Sequence, residues 1–598
     1  YWSAFENYPE DSRSRVYGNL GVSYNITDHL TAEGNIYGDY YNFRVEQRRT
    51  IGSQAQPYYQ ETIRENSEFN YEARLNYQQD FGEIQLSGVA GGNIRETQYQ
   101  LNSGTTSGGL VVPGIYSLEN SVSDASTTDY MREKRVNSLF GQANIGYGGF
   151  VNLDLSYRRD WSSTLPEDNN AYGYYGLSGS FILSEFIDAS WMNLAKIRGG
   201  YTQVGNDTNP YQVRTTFGYA ADGSFGGAPR LVIDNDLVNP NLKPEQTTTS
   251  EVGFDLALFE NRMNVNATYF EKSTTNQIIE LEVAKGSGYA SKVINAGELL
   301  SRGLELQVGV VPVRNENFNW RVDFNYTQTK MTVPEIHPKV QALDIVRMVF
   351  GGVFLRASEG DEYGQLWGID YVRDENGNKV LNGAGSYMAE PNLSPLGSVY
   401  PDFNLGITNS FNYKDFSFSF LVDIQEGGNF YSLSHMWGMY SGMFAATAQT
   451  NDKGNNIRTP VSEGGGIKLD GVNADVTFND DGTYEVSNAT ENETYYSGEA
   501  WSRQHYHAYG TPSAQSVFDA SYVKLREVTL GYDFGSLLDN FVKRARVSVY
   551  GRNLATFGLD LKGLDPEMTV VGSGNIQGID GGLQPMARTM GIKVDLTF

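Results

Sequence analysis

Cysteine is missing from all 598 residues, so neither a disulfide framework nor a thiolate-held metal can form. Positive charge is scarce. Lys and Arg number 45 against 71 Asp and Glu, for a net charge of −26. Nothing makes the basic stripe that a nucleic-acid binder needs. Long apolar runs are lacking as well. The longest, Met348 to Leu355, includes two glycines and falls far short of the roughly 20 apolar residues of a membrane helix. That absence says nothing against a barrel, whose strands are apolar on one face only. The sequence opens at Tyr1-Trp2-Ser3 with neither an initiating Met nor a signal peptide, and reads as a mature or truncated piece.

What is abundant is aromatic and glycine: 40 Tyr, 30 Phe and 66 Gly, with only 7 Trp. The aromatic and aliphatic residues recur at every second position. Ile592, Val594, Leu596 and Phe598 alternate with Lys593, Asp595 and Thr597, the period of a strand with one apolar face. The same alternation covers 304–310, 318–326 and 416–423. Strands are further expected at 14–24, 30–48, 67–81, 83–98, 172–183, 196–204, 248–258, 263–279, 523–534 and 546–553. The clearest hairpin joins Ser138–Tyr147 to Val151–Arg158 through Gly148-Gly149, a turn pair that tolerates left-handed backbone. Its second face carries Asn152, Asp154 and Arg158 in mid-strand. An unpaired ion in a packed core costs several kcal/mol, whereas a water-filled lumen imposes no such cost.

Connections alternate in length. Short turns fall at 25–28, 148–149, 259–262 and 413–415. Long loops are expected at about 99–135, 205–246, 331–402 and 429–520, and a short helix is possible at 184–194. Structureless connections of that length are rare in compact soluble domains, while transmembrane barrels place short turns on one side and long loops on the other. The fold expected is all-β: an antiparallel transmembrane β-barrel with long extracellular loops, of which this chain supplies about 17 strands out of roughly 22 in a large plugged barrel.

No catalytic constellation stands out, and the chain reads as no enzyme, with no cofactor. His505 and His507 form the one close histidine pair. A metal site there is conceivable, but without an acidic or thiol partner at ligand spacing a solvated loop is the favoured reading. Asp374 to Asn378 slightly resembles a calcium loop but lacks the ligand spacing; Asn376-Gly377 reads more simply as a hairpin turn. Trp367, Tyr371, Trp437, Tyr440, Tyr495, Tyr496 and Trp501 lie in the long connections. Aromatic faces suit sugar rings, peptide side chains and protein partners; the plainer alternative is girdle or loop packing.

Blocks spread along the chain resemble the SusC/RagA-like TonB-dependent transporters of the outer membrane of Bacteroidota. Arg158-Arg-Asp160 with Ser162-Ser163 resembles the family's strand-end motif, although Trp161 and Thr164-Leu165 depart from its usual Gly and Arg-Phe. Lys196 to Arg198 with Gly205-Asn206, Asn239 to Glu245 before Gly253 and Asp255, and Asn295 to Gly297 with Gly303 to Glu305 are similar to further family segments. So are Pro401 to Phe403, Ser521 to Arg526 with Leu530 to Tyr532, Gly551 to Leu554, Gly563 to Glu567 and the terminal Phe598. The resemblance implies that residues 1–598 are the carboxy-terminal part of one barrel in the cell outer membrane. An amino-terminal plug and a TonB-engaging segment are expected outside this sequence. It implies an importer of a bulky nutrient, an oligosaccharide or oligopeptide, working with a SusD-like surface lipoprotein and the TonB complex and embedded in outer-membrane lipid. Phe598 would be part of the membrane insertion signal. The competing reading is a barrel used as a scaffold or surface-interaction protein without transport. A soluble extracellular β-protein is disfavoured by the charged strand interiors.

Overall fold

The structure is a computed structural model that describes residues 5–226, 228–233, 235–348, 352–506, 510–537, 541–569 and 577–598. Long strands dominate. They are β1 (Glu10–Asn25), β2 (Leu30–Arg49), β3 (Tyr58–Phe81), β4 (Ile84–Leu110), β5 (Ser121–Tyr147) and β6 (Val151–Ser162). Next come β7 (Ala171–Ile182), β8 (Met192–Asn206), β9 (Glu245–Leu258), β10 (Met263–Glu282), β11 (Ser291–Arg314) and β12 (Phe318–Glu335). The last are β13 (Phe403–Tyr413), β14 (Phe416–Glu426), β15 (Tyr522–Leu537), β16 (Val542–Phe557) and β17 (Thr589–Thr597). All belong to one sheet, joined by the two-residue strand Asp236–Leu237, which pairs in parallel with Ser291 and Lys292. The all-β reading and its strand number hold.

The chain divides into two compact units: 1–185, 198–250 and 274–296 in the first, 186–197, 251–273 and 297–598 in the second. In the first, β1 to β7 form an uninterrupted antiparallel meander. In the second, β11 to β17 do the same. Each meander has tight turns at one end. Gly148 and Gly149 both sit at positive φ, 57° and 75°, the left-handed geometry expected of that turn.

The first unit shows why these strands alternate. Leu20 pairs with Ile36, Ile36 with Tyr71 and Tyr71 with Ile94 across four neighbouring strands. The first three of these, with Leu75, Ile84, Leu139, Leu155 and Tyr157, are exposed large side chains on one face of the sheet. An exposed apolar surface that continuous needs an apolar solvent. The band has limits. On β4 the face is apolar from Ile84 to Ile94 and then turns to Glu96 and Gln98. On β2 it changes after Tyr40 to Asn42, Arg44 and Glu46. Ten residues of rise at about 3.3 Å, tilted by roughly 45°, cover about 23 Å, the height of a barrel's lipid-facing band.

This limit corrects the expectation of a loop over 99–135. β4 and β5 remain paired far beyond the band, through Tyr99↔Arg132 to Thr105↔Ser126; the connection itself is 111–120. Outside lipid both faces of a strand are wet, so the period of two disappears while the backbone ladder continues. The Ser- and Thr-rich composition serves that ladder: the Thr106 hydroxyl accepts the Tyr59 N–H at 2.9 Å.

The other long connections are also structured. Residues 205–246 contain a hairpin, Phe217–Phe225 with Ala228–Ile233. Residues 331–402 contribute a four-stranded sheet, Ala342–Met348, Val353–Ser358, Gln365–Tyr371 and Ala389–Ser398. Residues 429–520 contain helices α1 (Leu433–Tyr440) and α2 (Gly498–Arg503) and the hairpin Val472–Phe478 with Tyr484–Glu491. Within the second unit, the connections 331–402 and 429–520 and Ile579 share a buried apolar core of Val353, Leu355, Leu366, Val399, Tyr431, Met436 and Ile579. The helix considered at 184–194 shrinks to a 3₁₀ turn at Leu183–Phe186.

Candidate functional site

The polar face of β5 to β7 is a connected hydrogen-bond surface. Asn144 Nδ2 donates to Asp154 Oδ1 at 2.6 Å and to Asn152 Oδ1 at 3.0 Å. Arg158 reaches Asp160 at 2.8 Å, Ser138 at 2.6 Å and Asn93 at 3.1 Å, and Tyr174 donates to the second Asp160 oxygen at 2.7 Å. Asp160 is buried, and two donors, the Arg158 guanidinium and the Tyr174 hydroxyl, make that ion tolerable there. Leu155 and Tyr157 point to the opposite, apolar face.

Blocks far apart in sequence meet. In the first unit, Glu245 accepts the Ile278 N–H at 2.8 Å and the Asn206 amide at 3.0 Å. Asn295 brackets Lys243, accepting its N–H and donating to its carbonyl, both at 2.7 Å. Leu242, just before these contacts, is fully buried against Leu165 and Val293. In the second unit, Lys524 is buried and reaches Asp565 at 2.7 Å and Glu567 at 2.5 Å. Arg526 bridges Asp423 at 2.6 Å and Glu567 at 2.9 Å, and Tyr522 donates to Glu567 at 2.7 Å. Burial alone would raise the Glu567 carboxyl; the hydrogen bonds from Arg526, Lys524 and Tyr522 outweigh it and hold it at about 2. The sequence supplied these blocks separately, and only the fold shows that they are staples between strand ends and connections.

The seven aromatic candidates separate into groups. Trp437 and Tyr440, on α1, are 41% and 39% exposed. Their rings lie 6.0 Å apart, and each lies 5.2 Å from Tyr506. The three form one open aromatic patch, and Tyr506 had no periodic signal to mark it. Tyr371 and Tyr496 are instead buried, 7% and 9% exposed. Tyr371 meets Tyr387 edge-on at 5.2 Å, with the Lys379 ammonium 4.1 Å above its ring; burial raises the phenol and lowers the Lys379 ammonium. Tyr496 packs with Leu381 and Leu469, and half-buried Trp501 joins that cluster. Trp367 is half-buried, with Arg356 5.0 Å from its ring. The Tyr495 hydroxyl binds both oxygens of Asp452, at 2.5 and 2.6 Å, which pushes its pKa up to about 12.

His505 does not lie in a solvated loop. It is buried at the end of α2, its ring 5.6 Å from His435 and 5.3 Å from Trp501. Burial, with a smaller contribution from the charge of His505, drives His435 down to about 3, and burial lowers His505. His507 lies outside the described residues. Among the described residues no three His, Asp or Glu side chains gather as metal ligands. Asp374 is the turn residue expected: its carboxylate accepts the backbone N–H of Asn376 at 3.0 Å and of Asn378 at 2.7 Å. Gly377 in that turn has a φ of 83°.

Comparison with known proteins agrees with this geometry. The family described as "TonB dependent receptor-like, beta-barrel" matches residues 1–404. TonB-dependent receptor P3 of Formosa agariphila is 24% identical over 97% of this chain and 56% of its own. TonB-dependent receptor SusC of Bacteroides thetaiotaomicron is 22% identical over 79% of this chain and 44% of its own. The chain thus spans about half the length of these relatives. Among solved structures, the RagAB peptide importer in its closed-closed state superposes with a TM-score of 0.76 at 16% identity, covering 100% of this chain and 63% of that one. The match extends over more than half of the residues, and the chain belongs to the TonB dependent receptor-like β-barrel family of the outer membrane.

Proposed function

We propose that this chain forms the barrel wall and outer loop layer of a SusC/RagA-type importer that admits a bulky nutrient, an oligosaccharide or oligopeptide. A SusD-like lipoprotein would cap it from outside, and TonB would drive it through a segment outside this sequence. The observation that carries the reading is the second unit's outer layer. Its connections enclose a dry core of their own and present the open patch Trp437, Tyr440 and Tyr506. A mere shield needs no core, whereas a surface that must keep its shape against a ligand or cap does. Exposed, closely spaced rings suit sugar faces and peptide side chains alike. The structure described as the RagAB peptide importer supports the oligopeptide class, and the exposed rings suit the oligosaccharide class equally.

The test is uptake. Cells lacking the gene are complemented with wild type or with the Trp437→Ala/Tyr440→Ala double variant, and accumulation of labelled oligosaccharide and oligopeptide mixtures is measured. Loss of uptake in the double variant, with a normal amount of heat-modifiable barrel and reduced co-purification of a SusD-like lipoprotein, is the expected outcome. Unchanged uptake of every cargo in the gene deletion would instead favour the scaffold reading.

A further inference from the structure

The apolar face of the first unit is not uniformly filled. A groove of about 740 Å³ crosses it. Its floor is the register row Gly34, Ala73 and Gly92 on three adjacent strands. Taller side chains close it on either side: Leu20, Ile36 and Ile94 one row further out and Leu139 beside Gly92. Nothing lies within 4 Å of where a Cβ on Gly34 would point, whereas one on Gly92 would meet Leu139 at 3.1 Å, so the floor is open at its Gly34 end and closed by Leu139 at the other. The groove is apolar along its length, but its outer rim is not. There it is lined by Arg135, Asn137 and Trp161. Trp161 pairs with Asn137 across β5 and β6. Arg135 is the next same-face residue outward on β5, and Arg159 the next inward on β6, in register with Leu139. The Arg159 guanidinium lies 5.3 Å from the Trp161 ring, and among the described residues no carboxylate pairs with it. Arg135 has a single loose carboxylate contact, to Glu96 at 3.4 Å, and remains half-exposed.

This rim stands at the height where the outward face changes from apolar to charged. Arg135 and the Trp161 indole therefore sit at the headgroup level, and Arg159, rooted one row inward, extends its guanidinium toward that indole above a trench wide enough for hydrocarbon. Indoles favour that interfacial depth, and guanidinium matches a phosphate with two parallel hydrogen bonds. A lipid without phosphate would leave Arg159 without a partner, and a zwitterionic one would bring its own cation against the two guanidinium groups. We infer that the groove formed by β1 to β6 holds an anionic lipid of the outer leaflet that carries a phosphate close to its acyl chains, the chain lying over Gly34, Ala73 and Gly92 and the phosphate between Arg135 and Arg159. This site faces away from the lumen and is independent of the cargo.

The test uses the whole protein in detergent. It is titrated with phosphatidylglycerol carrying brominated acyl chains, with brominated phosphatidylcholine of the same chain length, and with inorganic phosphate as competitor. Bromine quenches nearby indoles, and the difference between wild type and Trp161→Phe isolates the Trp161 signal. Phosphatidylglycerol is expected to quench Trp161 at lower concentration than phosphatidylcholine, by about fivefold for each arginine engaged. Arg135→Gln/Arg159→Gln should remove that preference while the barrel stays heat-modifiable. Ala73→Leu fills the trench with a side chain the lipid face accepts, and should weaken quenching by both lipids. Equal quenching by the two lipids in wild type, or an undiminished preference in the double variant, overturns the proposal. So does full competition by millimolar phosphate, which would mean an ion site without a lipid.

Discussion

Asn144 lies directly opposite Asp154 in the β5–β6 register and donates to it at 2.6 Å, while Leu155, the next residue, turns to the exposed apolar face. One strand therefore touches two solvents at consecutive positions. If the apolar face meets lipid and the polar face a wet lumen, arginine at the two positions has unequal consequences. An arginine near the lipid midplane costs about 2–4 kcal/mol, far more than in the lumen. Leu155→Arg should lower the amount of heat-modifiable barrel in the outer membrane much more than Asp154→Arg. Equal damage, or the reverse order, would sink the assignment of faces.

A second expectation concerns Glu567. It receives Lys524, Arg526 and Tyr522 at once, and Lys524 is only 3% exposed. Removing one partner of a buried pair costs about 3–5 kcal/mol, because the other is left as an uncompensated charge. Glu567→Gln should release the 558–588 connection, seen as faster hydrogen exchange there with the β15–β16 ladder still protected. Lys524→Met/Glu567→Leu, which deletes both charges, should restore part of the protection. A single variant that exchanges like wild type would show that Asp565 alone suffices to hold Lys524.

How much of this was legible beforehand follows from which solvent each segment meets. Within the lipid band each strand must be apolar on alternate residues, so 138–158, 318–326 and 592–598 could be read directly. Beyond the band the constraint lapses, and the Ser- and Thr-rich ends of β4 and β5 looked like loop although they are paired. The outer layer was opaque for another reason. Its core draws Leu355, Tyr431 and Ile579 from three different connections, and no local period links them. The aromatic residues were visible there, but not that Tyr371 and Tyr496 would be buried while Tyr506 completed the open patch. The histidine pairing was missed likewise, since His435 and His505 meet only through the contact of α1 with α2.

That contact predicts a pH response. His435 is held at about 3 by burial and by its neighbour, and His505 is lowered by burial; an unfolded histidine titrates near 6.5. The unfolded layer thus binds protons that the folded layer refuses. The stabilisation is complete above pH 6.5 and is lost progressively as pH falls from there toward 3. Between pH 7 and pH 5 His435 alone removes about 2 kcal/mol. Limited proteolysis within 429–520 should accelerate on acidification, and His435→Gln, which retains a partner for Ser516, should flatten the response. The same acid sensitivity in that variant would place its origin elsewhere.

The terminal aromatic gives a fourth expectation. β17 pairs with β16 through Arg544↔Thr597 and Ala545↔Leu596, and the Phe598 ring meets Phe541 edge-on at 5.6 Å. If Phe598 is read by the insertion machinery, deleting it should reduce folded barrel in the outer membrane while leaving detergent refolding of the purified protein unchanged. Normal insertion would make it one more lipid anchor.

The last concerns the hairpin Val472–Phe478 with Tyr484–Glu491, part of the 427–520 connection that, with Trp437 and Tyr440, is proposed to meet the cap. Its base cannot be removed without harm. Val472 packs with Val372 and Val380, and Asn492 is buried, donating to the Leu469 carbonyl at 2.9 Å. Cutting the whole of 470–500 would also remove Tyr496 and part of α2 and so open the layer's core. Tyr484 belongs to that base, packing with Val372 and Val380 and donating to Glu390 at 3.3 Å; the tip beyond it has, among the described residues, one bond to a neighbouring strand, from Asn392 to the Gly482 carbonyl at 3.2 Å. Phe478 pairs with Tyr484, so replacing 479–483 by Asn-Gly keeps Tyr484 and closes the ladder with a turn that two-residue hairpins favour. The tip carries Asp480 and Asp481, and Asp481 already accepts the Thr483 N–H at 2.9 Å, which leaves Asp480 as the outward charge. The excision should leave the barrel heat-modifiable and the His435-dependent acid profile unaltered, which reports an intact layer. Cap co-purification or cargo uptake should fall. If both persist unchanged in a layer shown to be intact, this hairpin is only a shield, and the contact surface must be sought on the α1 patch alone.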